Sequence, residues 1–586
     1  MGSLPPTGPR IALGLSLAVV ASGLTAMAFA GKAPAWDRLP LSHAAAPVAA
    51  VARPSTMPLG TNLDALSYWS PAFPLLDLMK SAGPWVAHRD DSYDTGEPIP
   101  LDAQGWVLRL PQPGSGLRYT SVLVNILHDN PTAPKHARYA VLYEGKGVMG
   151  AALGATVVDH SPGRLDVESA DDGGLALTIT ATDPGDHIRN IRVVRADLLP
   201  LYRAGQSFNP VHLERVSGFP VLRFMDWMNS NTVYDKAGRA LSGDVATANA
   251  PLLDWKDRPR LEDRSWGDQG HGMPVEAMVE IGNRTGAEPW FNMPINASDD
   301  YVRGFATYVR DHLRPDLQMH IELSNEVWNW SFPQSHYAQA RALAAFGPDA
   351  KWLEWYGMRA AQVGMIWKAV FSQSKPGRVA MVFGTQFAWK GLEAYGLDTE
   401  RWRDAQGRTL HPGDYFDEYA IAGYYDGTMN TDDTYDKVRG WWRDPDGGYK
   451  RAIAALHARI AQVNAPTYFY HGEQARRHGL RLISYEAGYG EFTPVSHRED
   501  QAYTDFLARL QRRPEFYGLE MQNYRAFQAA GGWLFMNYGI IGTPSKWGNW
   551  SALESVQQAS SPRYDAMRAW SAANPVRTGT ERAAMK

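Results

Sequence analysis

From residue 201 onward, short apolar runs alternate with amphipathic stretches, and this alternation constrains the fold more than any other feature of the chain. Seven runs read as strands: 221–224, 289–292, 319–324, 379–383, 419–422, 482–485 and 532–536. Between them lie stretches with apolar residues at helical spacing, at 274–285, 299–313, 351–371, 449–471 and 498–510. Strands alternating with helices are the signature of parallel βαβ units. One more strand is read at 58–63, followed by a predicted helix over 73–82 with Leu75, Leu76, Leu78 and Met79 on one face. Eight strands with their helices close into a (β/α)8 TIM barrel, whose active site lies at the C-terminal ends of the strands.

Between residues 96 and 200 the texture changes to short alternating runs punctuated by Gly, Pro and Asp, such as 105–110, 137–143, 175–181 and 188–194. Regular turn signals without helical periodicity predict a small β-sandwich. Because it falls after the first strand, it reads as an insertion into the barrel. The organisation is then an export segment or N-terminal anchor at 1–30, an Ala/Pro-rich linker at 31–57, a first βα unit at 58–95, the insertion at 96–200, the rest of the barrel at 201–575 and a tail at 576–586. Arg10, the apolar run 11–29 and the small-x-small Ala28-Phe29-Ala30 point to export. The expected location is secreted or periplasmic, with an uncleaved anchor as the competing outcome. No other segment reaches the ~18 apolar residues of a membrane span, so no stable membrane insertion is expected after cleavage.

Composition narrows the chemistry. The 586 residues contain no cysteine, which excludes thiol catalysis and thiolate zinc sites. A net charge of -4 offers no basic footprint for nucleic acid. The 21 Trp and 27 Tyr are plentiful; most fill cores, and some suit a saccharide cleft, where ring faces stack on the C–H faces of sugars. No phosphate loop, dinucleotide fingerprint or zinc helix is present, and no metal or cofactor is expected. Asp432, Asp433, Asp436 and the 444–447 turn lack the spacing of a dedicated calcium loop.

Two acidic residues close apolar strands, Glu326 in Ser324-Asn325-Glu326-Val327-Trp328 and Glu486 in Tyr485-Glu486-Ala487-Gly488. A carboxylate there costs desolvation energy and needs a reason. Cleavage of a glycosidic bond supplies one, since it requires one carboxylic acid and one carboxylate flanking the bond. Glu322 shares the strand parity of Glu326 and reads as a buried partner; Glu491 is an alternative to Glu486.

These motifs resemble those of clan GH-A glycoside hydrolases, retaining enzymes on (β/α)8 barrels. The resemblance covers about residues 58–95 and 201–575, and extends to secreted bacterial proteins labelled cellulose-binding. It implies Glu326 as acid/base, Glu486 as nucleophile and Asn325 as a ligand of the sugar 2-hydroxyl. It further implies Arg223 as the cation that keeps the nucleophile ionised, Tyr424 or Tyr425 as its orienting tyrosine, and Trp533 or Trp547 as an aromatic platform. Trp328 and His271 complete the candidate substrate contacts, and the long loop 229–272 adds Trp255, Trp266 and Asp268 as residues that could shape the cleft. The expected partner is a β-linked polysaccharide or oligosaccharide. A non-catalytic polysaccharide-binding barrel and an exopolysaccharide-processing transglycosylase are the alternatives.

Overall fold

The computed structural model describes residues 54, 56–267, 272–374 and 377–575. The segment expected to direct export, most of the expected linker, the C-terminal residues 576–586, Asp268 and His271 lie outside the described residues.

Eight parallel strands close into a barrel: β1 (Leu59–Asn62), β10 (Val221–Arg223), β11 (Glu288–Met293), β12 (Met319–Leu323), β13 (Val379–Gly384), β14 (Glu418–Tyr424), β15 (Arg481–Gly488) and β16 (Gly532–Asn537). The ring is sealed by Thr61 opposite both Leu222 of β10 and Asn537 of β16. The strands of β11, β12 and β13 are buried at every residue, because helices cover the outer face and side chains fill the inner one. Outward residues such as Phe291, Ile321 and Phe383 pack on Trp367 and its neighbours in helix Trp352–Val370. Inward residues Val221, Trp290, Val382, Ala420, Ile483, Tyr485, Leu534 and Met536 form a separate axial cluster. This is the (β/α)8 fold that the strand–helix alternation predicts.

Between β1 and β10 in the chain stand two four-stranded antiparallel sheets. One has the order β2 (Trp85–His88), β3 (Ser121–Leu127), β8 (Leu175–Thr182), β5 (Gly147–Ala152). The other has the order β6 (Thr156–Ser161), β7 (Arg164–Glu168), β4 (Arg138–Glu144), β9 (Arg189–Arg195). Their facing sides share one apolar cluster that includes Val124, Leu177 and Ile179 from the first sheet and Tyr139, Val141, Val167 and Val193 from the second.

Three local expectations are corrected. The antiparallel strands begin at Trp85, ahead of residue 96. Residues 105–110 are not a strand; only Val107 bridges, to Leu101. The 73–82 segment is not an amphipathic helix: a 3-10 turn spans Leu78–Ser81, Leu75 and Asp77 form isolated bridges to Phe208 and Val194, and Phe73 has a left-handed φ of 42°. Pro74 cannot donate, and the surrounding backbone is committed elsewhere, with Leu76 N–H donating to Ser207 O at 2.9 Å and Asn209 N–H to Pro74 O at 2.9 Å. The apolar side chains divide between two cores, Leu75 joining the barrel cluster and Leu78 and Met79 that of the sheets. A periodic apolar pattern thus serves two surfaces rather than one helix face.

The long loop after β10 is tied to this region. Arg264 N–H donates to Gln104 O at 2.9 Å and its Nη1 to Gly83 O at 2.8 Å; Trp266 N–H donates to Lys80 O at 2.7 Å. Trp255 packs edge-on against Tyr301 and Phe305 of helix Asp299–His312, so it builds the outer layer.

Candidate active site

Arg223 ends β10 with its side chain fully buried inside the barrel. Burying a guanidinium requires that all five N–H donors be met, and they are. Nη1 donates to Glu486 Oε1 at 2.9 Å and Asn62 Oδ1 at 3.0 Å; Nη2 donates to Glu322 Oε2 at 2.8 Å and Asn325 Oδ1 at 2.8 Å; Nε donates to Glu322 Oε2 at 3.2 Å. The rings of Trp290 and Tyr485 lie 5.2 and 5.3 Å from the guanidinium carbon. Burial works against the charge, but Glu322 and Glu486 outweigh it and hold Arg223 protonated. Glu322 Oε2 also accepts from Trp290 Nε1 at 2.9 Å and Asn292 Nδ2 at 2.7 Å.

Glu486 reaches this network because β15 is irregular. Ile421 of β14 pairs with Ser484 and the next residue, Ala422, pairs with Glu486, skipping Tyr485. Alternate strand residues face opposite sides; a bulge breaks that rule and re-aims a side chain. Tyr485 and Glu486, neighbours in sequence, therefore both face the barrel mouth. Glu486 Oε1 accepts from Arg223 and Oε2 from the Tyr424 hydroxyl at 3.0 Å. The Tyr485 hydroxyl donates to Glu326 Oε1 at 2.9 Å.

Glu326 sits on a strained turn. Ser324 and Glu326 have φ of 62° and 41°, left-handed values that non-glycine residues seldom adopt and that surrounding structure must impose. Here Ser324 N–H donates to Met293 O at 2.7 Å, Gln334 Nε2 to Asn325 O at 2.7 Å, and Asn329 N–H to Glu326 O at 2.8 Å. Asn329 Nδ2 meets Glu326 Oε2 at 3.0 Å. The Asn325 amide is held at both ends, its Oδ1 by Arg223 and its Nδ2 donating to Asn231 Oδ1 at 3.0 Å.

The two carboxyls sit in unequal fields. Burial pushes Glu326 well above the usual carboxylate range, the Glu486 charge pushes it further, and its hydrogen bonds to Asn329 and Tyr485 oppose only in part. Burial also raises Glu486 above its ordinary value, and Arg223 and the Tyr424 hydroxyl offset part of that rise. Of the two, Glu326 has the stronger push toward its protonated form and Glu486 the only cation in contact.

The other candidates divide. Tyr424 touches Glu486, whereas Tyr425 faces away from the mouth and donates to buried Glu520 Oε1 at 2.8 Å, because consecutive strand residues diverge. Trp533 stands at the opposite end of the barrel, near Arg481, the first residue of β15. Trp547 lies under the Arg498 guanidinium and offers its carbonyl to the Trp550 indole at 3.2 Å. Trp550 is the tryptophan that packs against the site, 5.3 Å from Tyr424 and 5.9 Å from Tyr538 between ring centroids. Gly548, at φ 150°, leaves room for it: a Cβ there would lie 1.8 Å from Trp550 Nε1. Trp328 is buried in the large barrel cluster with no protein acceptor for its indole N–H. Glu491 accepts the backbone N–H groups of Thr428 and Met429 at 2.8 and 2.9 Å, which makes it a loop brace. Tyr538, Trp550, Asn62 and Asn231 were not legible as site residues; Asp226, half-buried and hydrogen-bonded to Tyr538, joins them. Among the described residues no group of His, Asp and Glu is arranged to hold a metal ion.

No family model and no curated protein matches the chain. Several solved structures are similar to it. An exo-β-1,4-mannosidase from Opitutaceae bacterium strain TAV5 aligns at 10% identity over 65% of this chain and 57% of its own, with a TM-score of 0.33. Xylanase 10B from Thermotoga petrophila RKU-1, solved with xylobiose, aligns at 9% identity over 62% of this chain and 88% of its own, with a TM-score of 0.32. A glycoside hydrolase family 5 mannosidase from Rhizomucor miehei aligns at 9% identity over 62% and 87%, with a TM-score of 0.30. The chain spans less than two thirds of the length of the Opitutaceae mannosidase.

Proposed function

We propose that the chain is a glycoside hydrolase that cleaves a β-linked polysaccharide or oligosaccharide by double displacement, acting outside the cytoplasm. The observation that carries the reading is the inequality of two buried carboxyls at one barrel mouth, one bound to a guanidinium and the other bound only to neutral donors. Glu326, kept protonated by its surroundings, delivers its proton to the departing glycosidic oxygen. Glu486 attacks the anomeric carbon as that bond breaks, giving a covalent glycosyl-enzyme. Glu326, now a carboxylate, takes a proton from water, which displaces Glu486 and releases the sugar with its original anomeric configuration. Environments that drive two pKa values apart are the general means of setting acid and base roles.

The test is a panel of aryl β-glycosides and β-glycans, assayed with wild type and with Glu486→Ala. Wild type is expected to turn over at least one substrate, and the variant to lose at least about 10⁴-fold in kcat. Azide should then restore cleavage of an activated aryl glycoside with inverted product. Turnover of nothing by wild type would favour a polysaccharide-binding barrel, and products that lengthen with added acceptor sugar would favour transglycosylation.

A further inference from the structure

A cavity of about 620 Å³ lies at the seam between the antiparallel sheets and the barrel, and none of its lining residues belongs to the carboxylate site. It is formed by the segment that leaves β1, the first half of β9, the stretch that returns toward β10 and the clamped long loop. The returning stretch is tied to helix Val275–Thr285, with Ser207 Oγ donating to Glu280 Oε2 at 2.7 Å and Arg284 Nη2 to Gln206 Oε1 at 3.1 Å.

Its charge is uneven. Within β9, Arg189 pairs with Asp186 at 2.8 Å and Arg195 with Asp197 at 2.6 Å. Arg192, between them in sequence, has no carboxylate within ion-pair distance among the described residues. Its Nη1 donates to Asn190 O at 2.8 Å and the guanidinium reaches the Tyr202 hydroxyl. Arg203 lines the same cavity and is exposed. Lys80 spends its donors on two backbone carbonyls, Leu261 O at 2.9 Å and Asp263 O at 2.6 Å, and lies 5.0 Å from the Trp266 ring centroid. Of the two lining carboxyls, Asp77 is committed to the N–H groups of Met79 and Val193, which leaves Glu262 at the exposed edge.

We propose that this cavity binds a carboxylate-bearing sugar unit of a polysaccharide chain. The guanidinium fork of an arginine matches a carboxylate in geometry as well as charge, and two such forks here lack an acidic partner. Tyr202 supplies a half-buried ring and Gln206 an amide, the pairing that suits a pyranose with one apolar face and a rim of hydroxyls. The volume falls in the usual range for a small-molecule site. The site does not depend on the hydrolytic reading, since it recognises charge on a sugar rather than a bond to be cut.

The experiment is calorimetric titration of the full chain carrying Glu486→Gln, with trigalacturonic acid, cellotriose and inorganic phosphate as probes. Saturable binding of trigalacturonic acid is expected, weakened by salt. Arg203→Glu, on an exposed side chain, and Arg192→Gln should each weaken it roughly tenfold to a hundredfold, while any cleavage of small aryl glycosides by the corresponding variants with Glu486 intact stays at the wild-type rate. Absence of binding, equal binding of cellotriose, or equal binding by both arginine variants would overturn the proposal. Phosphate binding as tightly as the trisaccharide would overturn the sugar assignment. Failure of every glycoside assay would leave these outcomes unchanged, so the two readings fail separately.

Discussion

The barrel axis buries charged side chains beside its apolar layer, whereas the cluster inside the inserted sheets is wholly hydrophobic. Inside the sheets the cluster is Val, Ile, Leu and Tyr, and the ion pairs stay outside, such as Arg138–Glu168 at 2.8 Å and Arg164–Asp166 at 2.7 Å. Inside the barrel the axis carries His320 between Glu418 and Glu288, then Arg223 between Glu322 and Glu486. Apolar replacements for buried ion pairs are often neutral or stabilising, so stability gives no account of the charged axis. The sheets are built as a core is built. The barrel interior holds charge in a buried setting, the kind of environment that the proposed acid–base chemistry would use.

After the loss expected in Glu486→Ala, the largest effect is expected at Glu326. Replacement by Ala should slow substrates with poor leaving groups by about 10²–10⁴-fold, and spare those whose leaving group departs without a proton. The proposed mechanism requires Glu326 protonated, so the alkaline limb of the pH–rate profile should disappear in the variant. Equal losses on both kinds of substrate would falsify the acid role.

The sheets should answer differently. Leu177 is fully buried in β8, and Leu177→Ala should cost about 2–5 kcal/mol of stability, read by urea melting, with kcat on an aryl glycoside unchanged. A fall in kcat well below the melting range would show that the sheets take part in the chemistry, and the contrast would break.

His320 tests the lower part of the axis. Burial opposes its charge, but Glu418 and Glu288 raise it to about 9 from the usual 6.5. A histidine whose folded pKa is raised contributes stability that is full below its unfolded pKa and is lost as pH rises through the folded one. About 3 kcal/mol should therefore disappear between roughly pH 6.5 and 9. His320→Gln should be less stable at pH 6 and flatter across that window; an unchanged slope would mean the histidine is neutral in the fold.

Much of this was written in the sequence because it rests on periodicity. Seven of the eight barrel strands show as apolar runs between turn signals, β1 (Leu-Gly-Thr-Asn) being the exception, and Glu326 and Glu486 stand out as carboxylates ending such runs. What stayed hidden depends on single-residue events. The bulge that turns Tyr485 and Glu486 to one side leaves no pattern, nor does the strained turn at Ser324 and Glu326. Trp550 and Trp547 are equally aromatic in the sequence, and only the close approach permitted by Gly548 separates them. The 73–82 pattern misled because its apolar side chains serve two cores.

The smallest effect expected is at Glu322, a positioning residue that touches Arg223 and not the reacting groups. One of its oxygens takes four donors, two from Arg223 and one each from Trp290 and Asn292. Its charge also acts on Glu486, raising the carboxyl that Arg223 lowers. In Glu322→Gln the side-chain volume is kept and the charge removed, so Arg223 acts on Glu486 with less opposition. Glu486 then ionises at lower pH, and the acid limb of kcat/KM should move toward lower pH by less than about one unit, a differential of roughly 1 kcal/mol. A residue that merely packs would lower stability or kcat and leave that limb in place. A shift toward higher pH would mean the amide had disturbed Arg223 enough to weaken its hold on Glu486, and Glu322 would then serve to aim the guanidinium rather than to balance it.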